Sequence, residues 1–164
     1  MEANVDSAPD DRLDSRRIAA GTVAALAAAI VGGVLWGFIV KSTDYEVGVV
    51  AWAVGWLAGT AAVLVGRGRG LPLQLAAVAA ALLGILLGKY LSFAFVVQGL
   101  ADNEGVSLGL VSGDMRSFFR DQLGDVFGLF DLLWVGLAVF TAWRVPMRRE
   151  PELPPALEPR PIGE

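Results

Sequence analysis

Four apolar runs constrain this chain more than anything else in it. They cover residues 18–40, 47–65, 71–91 and, more broken, 127–145. About 20 such residues suffice to cross the hydrocarbon layer of a bilayer. A soluble domain of 164 residues would show amphipathic stripes instead of continuous apolar stretches. Apolar residues make up 55% of the sequence, and its mean hydropathy is +0.58. The expected fold is therefore all-α: a polytopic membrane protein, with four transmembrane helices in an antiparallel bundle and one further interfacial amphipathic helix.

The rest divides into two tails, two short links and one longer loop. Residues 1–15 are acidic, with Glu2, Asp6, Asp10, Asp11 and Asp14, and are expected to be a disordered tail. The membrane domain is expected over 16–145. Six of the eight prolines fall between Pro146 and Pro161, so 146–164 is expected to form an extended, mobile tail. The first run is too long for the h-region of a secretory peptide, and is read as a retained span. The links 41–46 and 66–70 are tight enough to make successive helices antiparallel neighbours. The second of them reads Gly-Arg-Gly-Arg-Gly. Between runs three and four, residues 112–125 carry Met115, Phe118, Phe119 and Leu123 on one side, with Arg116, Arg120 and Asp121 on the other. With Ser112 as N-cap and Asp114 in the first turn, this segment is expected to be the helix lying in the membrane interface.

Positive charge sets the expected orientation. Nine arginines (12, 16, 17, 67, 69, 144, 148, 149 and 160) fall on the side that four spans assign to both termini. That side is expected to be cytoplasmic. Arginine outnumbers lysine eleven to two, a bias that hints at a GC-rich bacterial genome and hence at a bacterial inner membrane.

Histidine and cysteine are both absent. Cys/His metal sites, thiol nucleophiles and disulfides are thereby excluded, as is the usual general base near neutral pH. No cofactor motif is present. The Gly/Arg turn lacks the GK[ST] ending and the preceding strand of a phosphate loop, and reads as a turn that touches anionic lipid. No basic stripe marks a nucleic-acid surface.

Lipid gives helices no hydrophobic reason to associate, so small residues and polar groups carry the packing. Gly55 and Gly59 on the second run and Gly84 and Gly88 on the third form small-xxx-small pairs. They are expected to pack helices within one molecule, the alternative being a seam between copies. Trp56 is expected to pack inside the bundle. Gln74 and Thr60 are expected to hydrogen-bond between helices. Ionisable groups at membrane depth are costly and mark function by default. Three qualify, Glu46, Lys89 and Asp131, with Lys89 pairing either Asp131 or Glu46. Snorkelling and structural pairing are the plain reading, an ion or proton path the sharper one.

Two stretches resemble uncharacterised bacterial four-helix integral membrane proteins. One runs from Tyr45-Glu46-Val47-Gly48 through Val54-Gly55-Trp56-Leu57-Ala58-Gly59 to Gln74-Leu75-Ala76. The other is Phe130-Asp131-Leu132-Leu133-Trp134, with Gly136-Leu137-Ala138-Val139 and Thr141-Ala142-Trp143-Arg144. The resemblance implies that Glu46 and Asp131 are structural signatures, and it brings no known activity.

The expected role is that of a non-enzymatic structural or accessory subunit, whose partners are the bilayer and either a membrane protein or further copies of itself. The alternative is an oligomeric transporter or channel for ions or small solutes, using Glu46, Lys89 and Asp131. A lipid-modifying enzyme would need Asp102, Glu104 and Asp114 to hold a metal.

Overall fold

The structure, a computed structural model, describes residues 11–43, 48–106 and 109–147. It describes only the backbone of residues 11–14 and 125. The described residues form helices and turns, with no strand among them. Helix α1 spans Asp11–Thr43, α2 Val49–Gly66, α3 Leu71–Asn103, α4 Gly113–Asp121, α5 Leu123–Val126 and α6 Leu129–Arg144. Three of these, α1, α2 and α3, are long and apolar enough to cross a membrane. Helix α6 has 16 residues, or about 24 Å at 1.5 Å per residue.

Several bounds differ from the sequence expectation, for local reasons. Helix α1 starts at Asp11, so part of the expected acidic tail is helical; the remainder of that tail, and residues 148–164 of the C-terminal one, lie outside the described residues. Helix α3 runs 12 residues beyond the apolar run that ends at Leu91, to Asn103. Nothing in 92–98 breaks a helix, and Ser92 returns its hydroxyl to the Gly88 carbonyl at 2.9 Å. The helix stops where Gly105 takes a φ of +75°, a conformation glycine adopts without penalty. The expected interfacial helix over 112–125 is two helices. Ser112 does cap α4, accepting from the Met115 N–H at 3.2 Å, but the helix ends at Gln122, and α5 adds one further turn before the chain goes extended at Phe127.

The core is built mainly from alanine. Ala25 and Ala29 of α1, Ala51, Ala58 and Ala62 of α2, Ala77, Ala80 and Ala81 of α3, and Ala138 and Ala142 of α6 are all buried together. Such small side chains let backbones approach closely. The glycines go further. A Cβ on Gly84 would lie 2.6 Å from the Ala29 carbonyl oxygen and 2.8 Å from Val54, so α3 touches α1 and α2 at one point. A Cβ on Gly88 would meet the Trp36 ring at 2.6 Å. Gly55 and Gly59 face α6: their Cβ atoms would lie 2.5 Å from the Ala138 carbonyl oxygen and 3.1 Å from Val145. All four glycines singled out in the sequence thus pack helices of the same molecule.

Trp56 does not pack inside. It is 49% exposed, because the buried stripe of α2 runs Ala51, Val54, Gly55, Ala58, Gly59 and Ala62, and a residue one step past Gly55 is rotated off that face. The buried tryptophan is Trp36, 1% exposed, lying over Gly88.

Candidate functional site

Helix α6 has two ends, and each leaves backbone groups without intrahelical partners. At its C-terminal end, the turn before α3 and the start of α3 supply the missing donors. Gln74 Nε2 donates to the Trp143 carbonyl at 3.3 Å, the Gly70 N–H donates to the Pro146 carbonyl at 3.0 Å, and the Arg69 guanidinium donates to the Val145 carbonyl. Gln74 therefore bonds between helices, as expected of it.

The N-terminal end holds the charged residues. The chain breaks between α5 and α6 at Phe127 and Gly128, both extended. In an unbroken helix the Val126 carbonyl would accept from the N–H four residues on. Here it accepts from Lys89 Nζ of α3, at 3.1 Å. The Gly128 N–H donates instead to Asp131 Oδ2, at 2.9 Å. Lys89 and Asp131 close the circuit with an ion pair of 2.8 Å. One lysine and one carboxylate thus serve two of the backbone groups opened by the break, the Val126 carbonyl and the Gly128 N–H. Unserved groups would each cost several kcal/mol in a hydrocarbon environment (about 4–8 by transfer to an apolar solvent).

The pair is deeply set on the lysine side, where the side chain is 2% exposed, against 19% for Asp131. The ammonium also lies 5.5 Å from the Phe127 ring centre and 5.9 Å from that of Trp36. These aromatic faces add attraction for a desolvated cation. Trp36 Nε1 is buried and has no acceptor among the described residues. Of the three charged residues singled out in the sequence, the structure joins Lys89 and Asp131; Glu46 lies outside the described residues.

Helix α4 lies against the α3 turn that carries Lys89. Met115 and Phe119 are buried, and Phe119 packs edge-on to Tyr90 at 5.2 Å and against Phe93 at 5.5 Å. The Tyr90 hydroxyl donates to the Leu110 carbonyl at 2.7 Å. Sequence reasoning missed Trp36, Tyr90 and the Val126 carbonyl. Tyr90 adjoins Lys89 and was legible as its neighbour; a backbone carbonyl carries no residue signal at all.

Among the described residues no group of three or more carboxylates clusters as a metal site would. Asp102, Glu104 and Asp114 are not brought together there. Asp102 and Glu104 lie at the end of α3, and Asp114 opens α4.

Three long apolar helices, sharing an alanine and glycine core with α6, define an all-α membrane protein. The chain matches no protein-family model, no curated protein and no solved structure.

Proposed function

We propose that the protein is a four-span bundle of the bacterial inner membrane, of the uncharacterised four-helix type it resembles. Its role in this reading is non-enzymatic: a structural or accessory subunit that works through its helix surfaces. The observation that carries the reading is the use made of Lys89 and Asp131. Their charges are directed at each other and at the backbone of the α5–α6 break. That is the arrangement of a clamp.

The register of helix contacts supports four spans of alternating direction. Gly21, Gly32 and Gly33 of α1 face Leu73 and Ala62, Val54, and Gly84 in turn, so residue numbers rise together in α1 and α3 and fall in α2. Gly48, which precedes α2, and Gly55 and Gly59 within it face Trp134, Ala138 and Ala142, so α2 and α6 run together. With α5 and the Pro146 turn adding depth, α6 makes the fourth crossing. The arginines at the starts of α1 and α3 and at the end of α6 then put both termini in the cytoplasm. Single cysteines at positions 7 and 107 of this Cys-free chain test that orientation. An impermeant thiol reagent applied to intact cells should reach position 107 and spare position 7.

A partner has a face to use. Leu132, Leu133 and Phe140 of α6 are exposed, and Gly136 between them has no atom within 4 Å of where its Cβ would be. Tagged protein drawn from native membranes into nanodiscs should bring a stoichiometric membrane partner, lost when Gly136 becomes leucine. Recovery of the protein alone, from every growth condition tried, would remove the accessory reading.

A buried charge pair is also what a transporter would need, and this favours the second reading, an oligomeric ion or small-solute carrier. Flux through proteoliposomes above that of empty vesicles, abolished by Lys89→Met, would establish it.

A further inference from the structure

At the end of the bundle away from Lys89, the Gly/Arg turn folds against the start of α1. The Arg17 carbonyl approaches Gly66 so closely that a Cβ there would sit 3.3 Å from it. Between them lies a cleft of about 190 Å³, walled by Arg17, Arg67, Arg69 and the turn glycines, and floored by Ile18 and Leu73. Three guanidinium-bearing residues line it, and among the described side chains no carboxylate does. Arg144 lies near Arg69 on the adjoining surface.

The backbone of the turn carries a second observation. Arg67 sits at φ +48°, ψ +35°, left-handed, directly after α2. Glycine is the residue suited to that position, and glycines stand on both sides of it, at 66 and 68. The turn places an arginine where its neighbours would fit without strain. Arginine's fork of donors matches the oxygens of a phosphate.

We infer that this cleft is a binding site for a phosphate-bearing anion, with the headgroup of an anionic membrane phospholipid as the favoured source. The apolar floor meets the first acyl carbons, and Arg17 and Arg67 meet the phosphate beside Arg69, whose guanidinium is held by the Val145 carbonyl. The site rests on the membrane reading alone and is independent of any accessory role.

Arg67 allows a test that separates binding from folding. Arg67→Gly removes a guanidinium and relieves the left-handed strain, so the variant should unfold no earlier than the wild type. Arg17→Gln removes a second charge from a helix that tolerates glutamine well. Full-length protein in detergent would be examined by native mass spectrometry with phosphatidylglycerol, phosphatidylcholine and inorganic pyrophosphate. Wild type should retain one phosphatidylglycerol in preference to phosphatidylcholine, and each variant should hold it about five-fold more weakly. Retention that pyrophosphate does not displace assigns a lipid source; pyrophosphate bound in its place assigns a soluble phosphate. Equal retention of both lipids with no pyrophosphate bound, or unchanged binding in Arg17→Gln, overturns the site. Should Arg67→Gly unfold early, Arg17→Gln alone decides.

Discussion

Helices α1 and α6 both pack against α3, by opposite means. The α1–α3 seam is made largely by small residues: Gly33 and Gly84 put backbone against backbone, Ala25, Ala29, Ala77, Ala80 and Ala81 pack beside them, and Trp36 lies over Gly88. Helix α6 is tied to α3 by polar groups at each of its ends, Lys89 at one and Gln74 at the other, while its middle leans on the glycines of α2. The difference follows from length. Helix α1 is 33 residues long, about 50 Å at 1.5 Å per residue, longer than the roughly 30 Å of hydrocarbon in a bilayer. Helix α6 is half that length and begins at a break. Its open backbone groups are met by Lys89 and Gln74 of α3, by the turn before α3, and by its own Asp131.

Substitutions can break this contrast from either side. The largest loss is expected from Asp131→Ala, which takes the carboxylate away from the buried Lys89 ammonium and strips the Gly128 N–H of its acceptor. A cost of about 3–5 kcal/mol is expected, read as a shift of the unfolding midpoint in a denaturing-detergent titration. On the other seam, Gly84→Ala inserts a methyl 2.6 Å from the Ala29 carbonyl oxygen, and overpacking of this kind costs about 1–3 kcal/mol. The same titration should show that loss with the α6 contacts intact by crosslinking. Gln74→Leu removes one interhelical hydrogen bond, worth about 0.6 kcal/mol in membrane bundles. Smallest and of opposite sign is Gly99→Ala, near the end of α3, where no atom lies within 4 Å of the new Cβ. It should gain up to about 1 kcal/mol from helix propensity, visible as a raised melting temperature. A loss there would mean that the α3 extension is packed against something.

Much of the seam could be read in the sequence, and little of the tie. The apolar runs gave the long helices, and the small-xxx-small spacing named Gly55, Gly59, Gly84 and Gly88, each of which meets a neighbouring helix. Ser112 was legible as a cap because its hydroxyl, three residues before Met115, fits one local geometry. The partner of each glycine was not legible, since spacing fixes a face and not what it touches. Trp56 went astray for the same reason: a position midway along a run says nothing about rotation, and the alanine stripe decides it. Lys89 and Asp131 stood out as charges in apolar surroundings. Their task did not, because the groups they serve are the carbonyl of Val126 and the N–H of Gly128, and backbone atoms leave no trace in a sequence. The break itself is marked by Gly128, one glycine among 20.

The central claim is that Lys89 and Asp131 act as one structural clamp on α6. A double-variant cycle tests it directly: Lys89→Met, Asp131→Asn and the two combined, unfolded in bicelles and assayed for solute flux in proteoliposomes. A clamp predicts that the losses are strongly non-additive, the double variant being little worse than the worse single one, with flux at the level of empty vesicles throughout. Additive losses, or single variants as stable as wild type with an altered flux, would contradict it.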